Sequence, residues 1–336
     1  MEYDHYIGLD WAKANMAIAR MTKHSNEIKT IDVRTDIEDL KVYLEDLKGT
    51  KILTFEECNP AQWLFTELKP LVDEILVCDP YRNHLLKEGG KSDRIDAQKL
   101  VRLLRAGMLK PVFHCTDDFI YLRKLASGYQ DLVQMGVRQK NQRTALFNAI
   151  GKGKTEKTLP RESESFVLEG LDAGIAFYES QKLRYETKLK KVVADQKSLK
   201  NLTSIPGIGI VGALTIASIV VDARRFTDRS AFWSYCGLIR LEKMSGGRSY
   251  GQKIPRHSRR LKLIFKTAAV ACLRNQKDTN PLYVYYTDLI TKKNYPEHQA
   301  RHALSRRIAT LAFGILKSNK PLDTKELFKK TVAQKN

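Results

Sequence analysis

The sequence predicts an α/β domain at its N-terminal end followed by a mainly α-helical remainder. Three observations carry this. Five short apolar runs, each closed by polar or turn residues, fall within the first 80 residues. Stretches with helical spacing separate the later runs, the pattern of an α/β unit. Beyond Pro111 the composition changes to long polar segments with apolar residues three or four apart, the spacing of one helix face.

The first run, Tyr6-Ile7-Gly8-Leu9-Asp10, reads as a buried strand that delivers Asp10 at its end. After Trp11-Ala12-Lys13 a second strand is expected from Asn15 to Met21, and a third, alternating apolar and polar, from Glu27 to Val33. A three-strand meander with an acid on its first strand opens a ribonuclease-H-like fold, although an aspartate closing a strand is also an ordinary turn residue. Asp36 to Lys48 has helical spacing, with Asp36 placed to cap it. Lys51 to Phe55 is a fourth strand, ending on Glu56 and Glu57. Cys58-Asn59-Pro60 breaks it, and Ala61 to Leu71 reads as a helix. A fifth strand, Glu74 to Cys78, stops at Asp79-Pro80, a helix is expected from Tyr81 to Lys87, and Gly89-Gly90 is a hinge or turn. Lys91-Ser92-Asp93-Arg94-Ile95-Asp96-Ala97 then runs into a helix carrying Leu100, Leu103 and Leu104.

Composition bounds the function. The 336 residues can form two or three domains with their own cores. We expect boundaries at 1–112, 113–200 and 201–327, with a basic tail over 328–336. The chain has 58 Lys and Arg against 38 Asp and Glu, a net charge of +20. A surplus of that size points to a polyanion partner, most simply nucleic acid; a merely soluble basic protein is the plainer alternative. The five cysteines are far apart and form no paired metal spacing, which suggests reduced, cytosolic thiols. No run approaches membrane-spanning length, so no membrane partner is expected.

Asp93 and Asp96 lie three apart at the start of a helix, so both carboxylates project from one face. Two acids there also suit the helix dipole. One acid on the first strand, one on the fourth and an Asp pair on a late helix form a constellation with further meaning. Four such ligands converging on one edge need cations to stay ionised. Mg2+ suits hard oxygen donors, and two ions can serve phosphoryl transfer.

The order of Tyr6-Ile7-Gly8-Leu9-Asp10 with Lys13, Phe55-Glu56, Asp79-Pro80 and Lys91-Ser92-Asp93-Arg94-Ile95-Asp96-Ala97 resembles the DEDD transposases of the insertion sequence 110 family. That family includes bridge-RNA-guided recombinases and is related to DNA invertases that flip pilin genes. The resemblance runs from Tyr6 to about Asp323. It implies a RuvC-like first domain with Asp10, Glu56, Asp93 and Asp96 as the metal-binding tetrad, and a cytoplasmic, nucleoid-associated protein of a bacterium or archaeon. The family usually follows its glutamate with small residues, whereas Glu56 precedes Glu57-Cys58-Asn59. Glu57 is therefore an alternative ligand, with strand alternation and the position after Phe55 favouring Glu56.

From Asp118 to Ile150 the positions Leu122, Leu125, Tyr129 and Leu132 keep helical spacing. Leu171, Ile175, Tyr178, Tyr185, Leu189, Val192 and Leu199 fall on one heptad seam interrupted by Lys182 and Gln196. With Gly151 to Ser165 as a loop, the two segments are expected to form a coiled-coil hairpin that can pair with another subunit. Arg138, Lys140 and Arg143 form either a solvated face or a nucleic-acid contact.

Ser204-Ile205-Pro206-Gly207-Ile208-Gly209 precedes an apolar run from Ala213 to Val221. Gly207, Gly209 and Gly212 spell a dinucleotide fingerprint, but a long helix and a proline precede them rather than the strand of a βαβ unit. The stretch looks instead like a helix-hairpin-helix turn, where glycine N–H groups at Gly207 and Gly209 can approach a phosphate. A tight turn without a ligand is the alternative. Lys243 to Gly251 reads as a glycine-rich basic loop, followed by Lys253, Arg256, His257, Arg259, Arg260, Lys262 and Lys266. Arg248, Lys253, Arg256, Arg259 and Arg260 are candidate nucleic-acid contacts.

A serine in such a loop is often only a turn residue. The family, however, carries Pro-Gly-Ile-Gly and, after a Gly-Leu, a Ser-Gly whose serine attacks DNA. Counting on from Gly237-Leu238, Ser245-Gly246 stands at the matching place, with Ser249 as the fallback. The resemblance implies attack by Ser245 on the scissile phosphate to give a 5′-phosphoserine link and a free 3′-hydroxyl. It also implies donor and target DNA and a bridge RNA as partners, and dimers assembling to a tetramer. An unguided DNA invertase and a non-catalytic nucleic-acid-binding copy remain alternatives; a Holliday-junction resolvase would share the acids but not the Ser-Gly. Leu263 to Leu273 and His302 to Leu316 present apolar helix faces. His298 and His302 have zinc-compatible spacing but no further Cys or His nearby.

Overall fold

A computed structural model describes residues 2–83, 92–115, 117–151, 153, 159, 161–274, 280–323 and 327. Most of the helix expected from Tyr81 to Lys87, the Gly89-Gly90 turn, much of the Gly151–Ser165 loop and the basic tail lie outside the described residues. The chain divides into two compact units, Met1–Asp117 and Asp118–Asn336.

The first unit is built on a five-stranded sheet. Its strands are β1 (His5–Trp11), β2 (Asn15–Thr22), β3 (Lys29–Arg34), β4 (Lys51–Glu56) and β5 (Glu74–Cys78), in the order β3-β2-β1-β4-β5. β1, β2 and β3 are antiparallel neighbours, whereas β4 runs parallel to β1 and β5 parallel to β4. Short turns suffice for the meander; the parallel strands need crossovers. The first crossover is α1 (Ile37–Asp46), capped by Asp36, which accepts the Glu38 N–H at 2.8 Å. The second is α2 (Ala61–Leu68), which tightens into a 3-10 turn over Lys69–Leu71 where Pro70 removes an N–H donor.

Alternation along the strands sorts side chains to two faces. Ile7, Leu9, Leu53 and Phe55 pack with Leu40, Leu44, Leu64 and Leu68 of α1 and α2. Tyr6, Ala17, Ala19 and Ile52 face Ala97, Leu100, Val101 and Leu104 of α3 (Asp93–Arg105). The sheet is therefore sandwiched between helices. Gly8 permits the close approach of α3: a Cβ there would stand 2.6 Å from the Ala97 carbonyl oxygen and 2.8 Å from the Val101 nitrogen. Hydrogen bonds from Gln98 to Thr30 at 3.0 Å and from Arg105 to the Ser25 carbonyl at 2.6 Å fix α3 along its length.

The second unit opens with α4 (Asp117–Ala149) and α5 (Glu162–Asp195). Contacts between Tyr129 and Glu186, Lys140 and Glu179, and Arg143 and Asp172 run in opposite sequence directions, so the helices pair antiparallel. The expected seam breaks before Leu199. Gln196 adopts an extended conformation (φ −117°, ψ 110°), which ends α5 and places Leu199 on α6 (Lys197–Leu202). Leu122, Ala126, Leu189 and Val193 share a core with α6 and the helices that follow. These are α7 (Ile210–Val220), α8 (Arg229–Tyr235), α9 (Arg259–Arg274), α10 (Pro281–Thr291) and α11 (Glu297–Ser318). Phe232 lies at the centre, stacked on Phe313 and edge-on to Phe226 and Phe265.

One expectation is corrected here. The segment read as a basic loop is a two-stranded hairpin, β6 (Leu241–Ser245) with β7 (Arg248–Lys253), every residue of which is exposed. It lacks the buried apolar face by which a strand is recognised in sequence. Gly246 (φ +53°) and Gly247 (φ +76°) supply the two left-handed residues that a tight hairpin turn requires.

Candidate functional site

The acids of the first unit are assembled by register. Gly8 pairs with Thr54 and Leu9 with Phe55 across the parallel β1–β4 ladder, so Asp10 and Glu56 come next on the two strands. Both share strand parity with Tyr6 and Ile52, and so lie on the face covered by α3. Ser92 caps α3, accepting the Ile95 N–H at 3.2 Å, and puts Asp93 and Asp96 in the first turn. That turn carries the positive end of the helix dipole, which favours the two negative charges. Lys99 lies 3.1 Å from Asp96.

The electrostatics register this crowding. Asp10 is half-buried, and burial, followed by the charges of Asp93, Asp96 and Glu56, pushes its carboxyl up to about 6. Glu57 is turned elsewhere. It accepts from His114 Nε2 at 2.6 Å, while His114 Nδ1 meets Gln62 at 3.1 Å and the imidazole stacks on Phe65. Among the described residues no three Asp, Glu, His or Cys side chains stand close enough to enclose a metal ion. The donor chemistry nevertheless fits a hard divalent cation, because the four groups offer only carboxylate oxygens and repel one another until a cation intervenes. Sequence reasoning did not single out His114 as a partner of Glu57; a lone histidine some 57 residues away carries no spacing signal.

The candidates of the second unit lie on separate features. Ser245 is the last residue of β6 and pairs with Arg248 across the Gly246-Gly247 turn, exposed beside the tip. Ser249, one position further, pairs with Met244, and Lys253 pairs with Leu241 at the hairpin's base. That base is anchored. Ser258 N–H donates to the Tyr235 carbonyl at 2.9 Å, and the His257 ring packs on Gly237, where a Cβ would fall 2.3 Å from it. Arg256 lies in this connection; Arg259 and Arg260 open α9, the helix end where a dipole disfavours cations.

The glycines of the 204–209 turn differ in their surroundings. Gly207 (φ +89°) sits against α9, where a Cβ would lie 2.2 Å from the Ala268 carbonyl oxygen, whereas Gly209, at the start of α7, has open space. Lys140 and Arg143 are engaged by Glu179 and Asp172 of the neighbouring helix, and Arg138 lies on an outward groove of α4 with Val133, Val137 and Asn141. No helix among the described residues is long and apolar enough to cross a membrane.

With this geometry in view, comparison with known proteins is informative. Residues 7–151 match the transposase family of IS110 DEDD enzymes, and residues 199–284 match the family described as transposase IS116/IS110/IS902. The transposase for insertion sequence element IS1328 of Yersinia enterocolitica is 24% identical over 256 residues, covering 72% of this chain and 76% of its own. An uncharacterized 43.6 kDa protein of insertion element IS110 from Streptomyces coelicolor is 27% identical over 202 residues, 58% of this chain. The chain spans about half of that relative's length, 48%.

Proposed function

Given that the chain belongs to the IS110 family of transposases, and is thus a DNA-transposing enzyme, we propose that it cuts and rejoins DNA with two groups of residues. Asp10, Glu56, Asp93 and Asp96 form a divalent-metal site on a ribonuclease-H-like, RuvC-like domain, and Ser245 is the nucleophile. The observation that carries the metal site is the negative charge that Asp93, Asp96 and Glu56 bring to bear on half-buried Asp10. The mutual repulsion of such a cluster is a cost that a bound cation would remove. A bound Mg2+, or a pair of such ions, would stabilise charge on the phosphoryl oxygens.

The strand exchange begins at Ser245. Its Oγ attacks the scissile phosphorus, an Oγ–P bond forms and the P–O3′ bond breaks. The serine proton is released and the leaving 3′ oxygen takes one up, leaving a 5′-phosphoserine and a free 3′-hydroxyl. One phosphodiester replaces another, so the step reverses when a new 3′-hydroxyl attacks. The position of Ser245 on an exposed hairpin beside Arg248 supports this reading, since the guanidinium can pair with a phosphate oxygen. We further propose that a bridge RNA supplies target choice and that subunits assemble to a tetramer.

The serine assignment is tested by incubating the protein with element-end DNA and Mg2+ and trapping the protein–DNA adduct under denaturing conditions. Ser245→Ala is expected to abolish the adduct; its persistence would reject Ser245. Guidance is tested by sequencing RNA that stays bound through a high-salt wash. A discrete structured RNA supports it, and random RNA alone favours an unguided recombinase or invertase.

A further inference from the structure

A second cluster of charge stands in the C-terminal unit, around His302 on α11. This imidazole is half-buried, and burial together with Arg306, Lys266, Arg240 and Lys262 holds it below the ordinary histidine range. The geometry is independent of that shift. His302 and Arg306 share one face of α11, and Lys262 and Lys266 one face of α9, each pair four residues apart. The two helices pack on one another. Lys262 Nζ lies 3.5 Å from His257 Nε2, a third basic side chain at the same place. Arg306 also lies over the Trp233 ring, 6.0 Å from its centroid, with Arg229 at 5.6 Å.

Among the described residues no carboxylate pairs with these cations. Glu242 is the only acid between residues 229 and 274. Asp288 is paired with Lys292 and Glu297 with Arg301. None of Arg240, Lys262, Lys266 and Arg306 makes an ion pair with a carboxylate among the described residues. Like charges four apart on a helix destabilise it, and four cations around a partly buried imidazole repel one another. An arrangement with this cost is suited to an external anion.

We propose that Arg240, Lys262, Lys266, His302 and Arg306 form a docking site for the phosphodiester backbone of duplex DNA, separate from the acids and from Ser245. Guanidinium and ammonium groups bind phosphate oxygens by charge-assisted hydrogen bonds, and released counterions drive the association. The partly exposed Trp233 ring, flanked by Arg229 and Arg306, forms one side of the same basic surface. The choice of DNA rests on the family's activity. It does not depend on the serine chemistry.

The test uses the full-length protein and a fluorescent duplex of about 30 base pairs, titrated by anisotropy at several salt concentrations. Arg240→Gln with Lys266→Gln removes two exposed charges without touching the core, and Lys293→Gln on an exposed turn is the control. The double variant is expected to bind roughly 5- to 50-fold more weakly near 0.1 M salt and to lower the slope of log K against log salt by about 0.9 per lost contact, about 1.8 in all. The control should match the wild type, and binding is read without Mg2+ and without a covalent adduct, so the outcome is independent of the nucleophile assignment. An unchanged slope in the double variant overturns the site. So does an effect confined to RNA, or one reproduced for inorganic phosphate while duplex affinity stays constant.

Discussion

Asp10 carries a structural cost at the position where a metal ligand is proposed. Burial and the neighbouring carboxylates push its carboxyl up to about 6, above the usual ~4 of an aspartate. Because the folded value is the higher one, its contribution to stability is full below pH ~4 and is lost as the pH rises through about 6. Without divalent ions, Asp10→Asn is therefore expected to melt at a higher temperature than the wild type at pH 7.5, an advantage that vanishes near pH ~4. Adding Mg2+ should raise the wild-type melting temperature and move the variant less. Thermal unfolding in EDTA and in Mg2+ checks both, and a variant less stable than wild type in EDTA would contradict the charge-cluster account. Strand alternation in the sequence favours Glu56, with Glu57 as the alternative. The parity of β4 and the His114 contact separate them, placing Glu56 on the α3 face and turning Glu57 away.

At the scale of the element, the β6–β7 hairpin is held by its ladder, its turn and its anchored base rather than by a core. Gly247 occupies the left-handed region, which costs a residue with a side chain about 1–2 kcal/mol. Gly247→Ala is thus expected to reduce formation of the DNA adduct severalfold while shifting the melting temperature by less than ~1 °C, because no buried contact is lost. A large fall in melting temperature would mean the hairpin supports the fold. α3 shows the opposite logic. Its acidic first turn and its apolar face were legible, since Asp93, Asp96, Leu100 and Leu104 sit where helix rules place them, and the structure adds Ser92 as its cap. The hairpin was not, because alternation is visible only where one face is buried.

For the whole molecule, the two units have separate cores. The clusters on the two faces of the sheet draw on residues no later than Leu109, and the C-terminal cluster begins at Leu122. A fragment of residues 1–117 is accordingly expected to fold by itself, giving one cooperative thermal transition and a dispersed NMR spectrum. Strong binding of a hydrophobic dye without a cooperative transition would show that it needs the rest of the chain. Residues 113–115 belong to this unit because His114 and Cys115 bond to Gln62 of α2, contacts that no composition change announces.

The sequence by itself determined the five strands of the first unit, most of the helices, the start of α1, and that the chain carries a basic surplus. These are local properties, set by side-chain period, capping chemistry and charge. Tertiary structure alone decided which charges meet. Asp10, Glu56, Asp93 and Asp96 come within electrostatic reach of one another through parallel register and the close packing that Gly8 allows. Lys262 and Lys266 act on His302 and Arg306 because α9 packs against α11, and Arg240 joins them from the segment before β6. Electrostatic energy depends on distance in space, and residues dozens of positions apart acquire a common site only once the chain has folded.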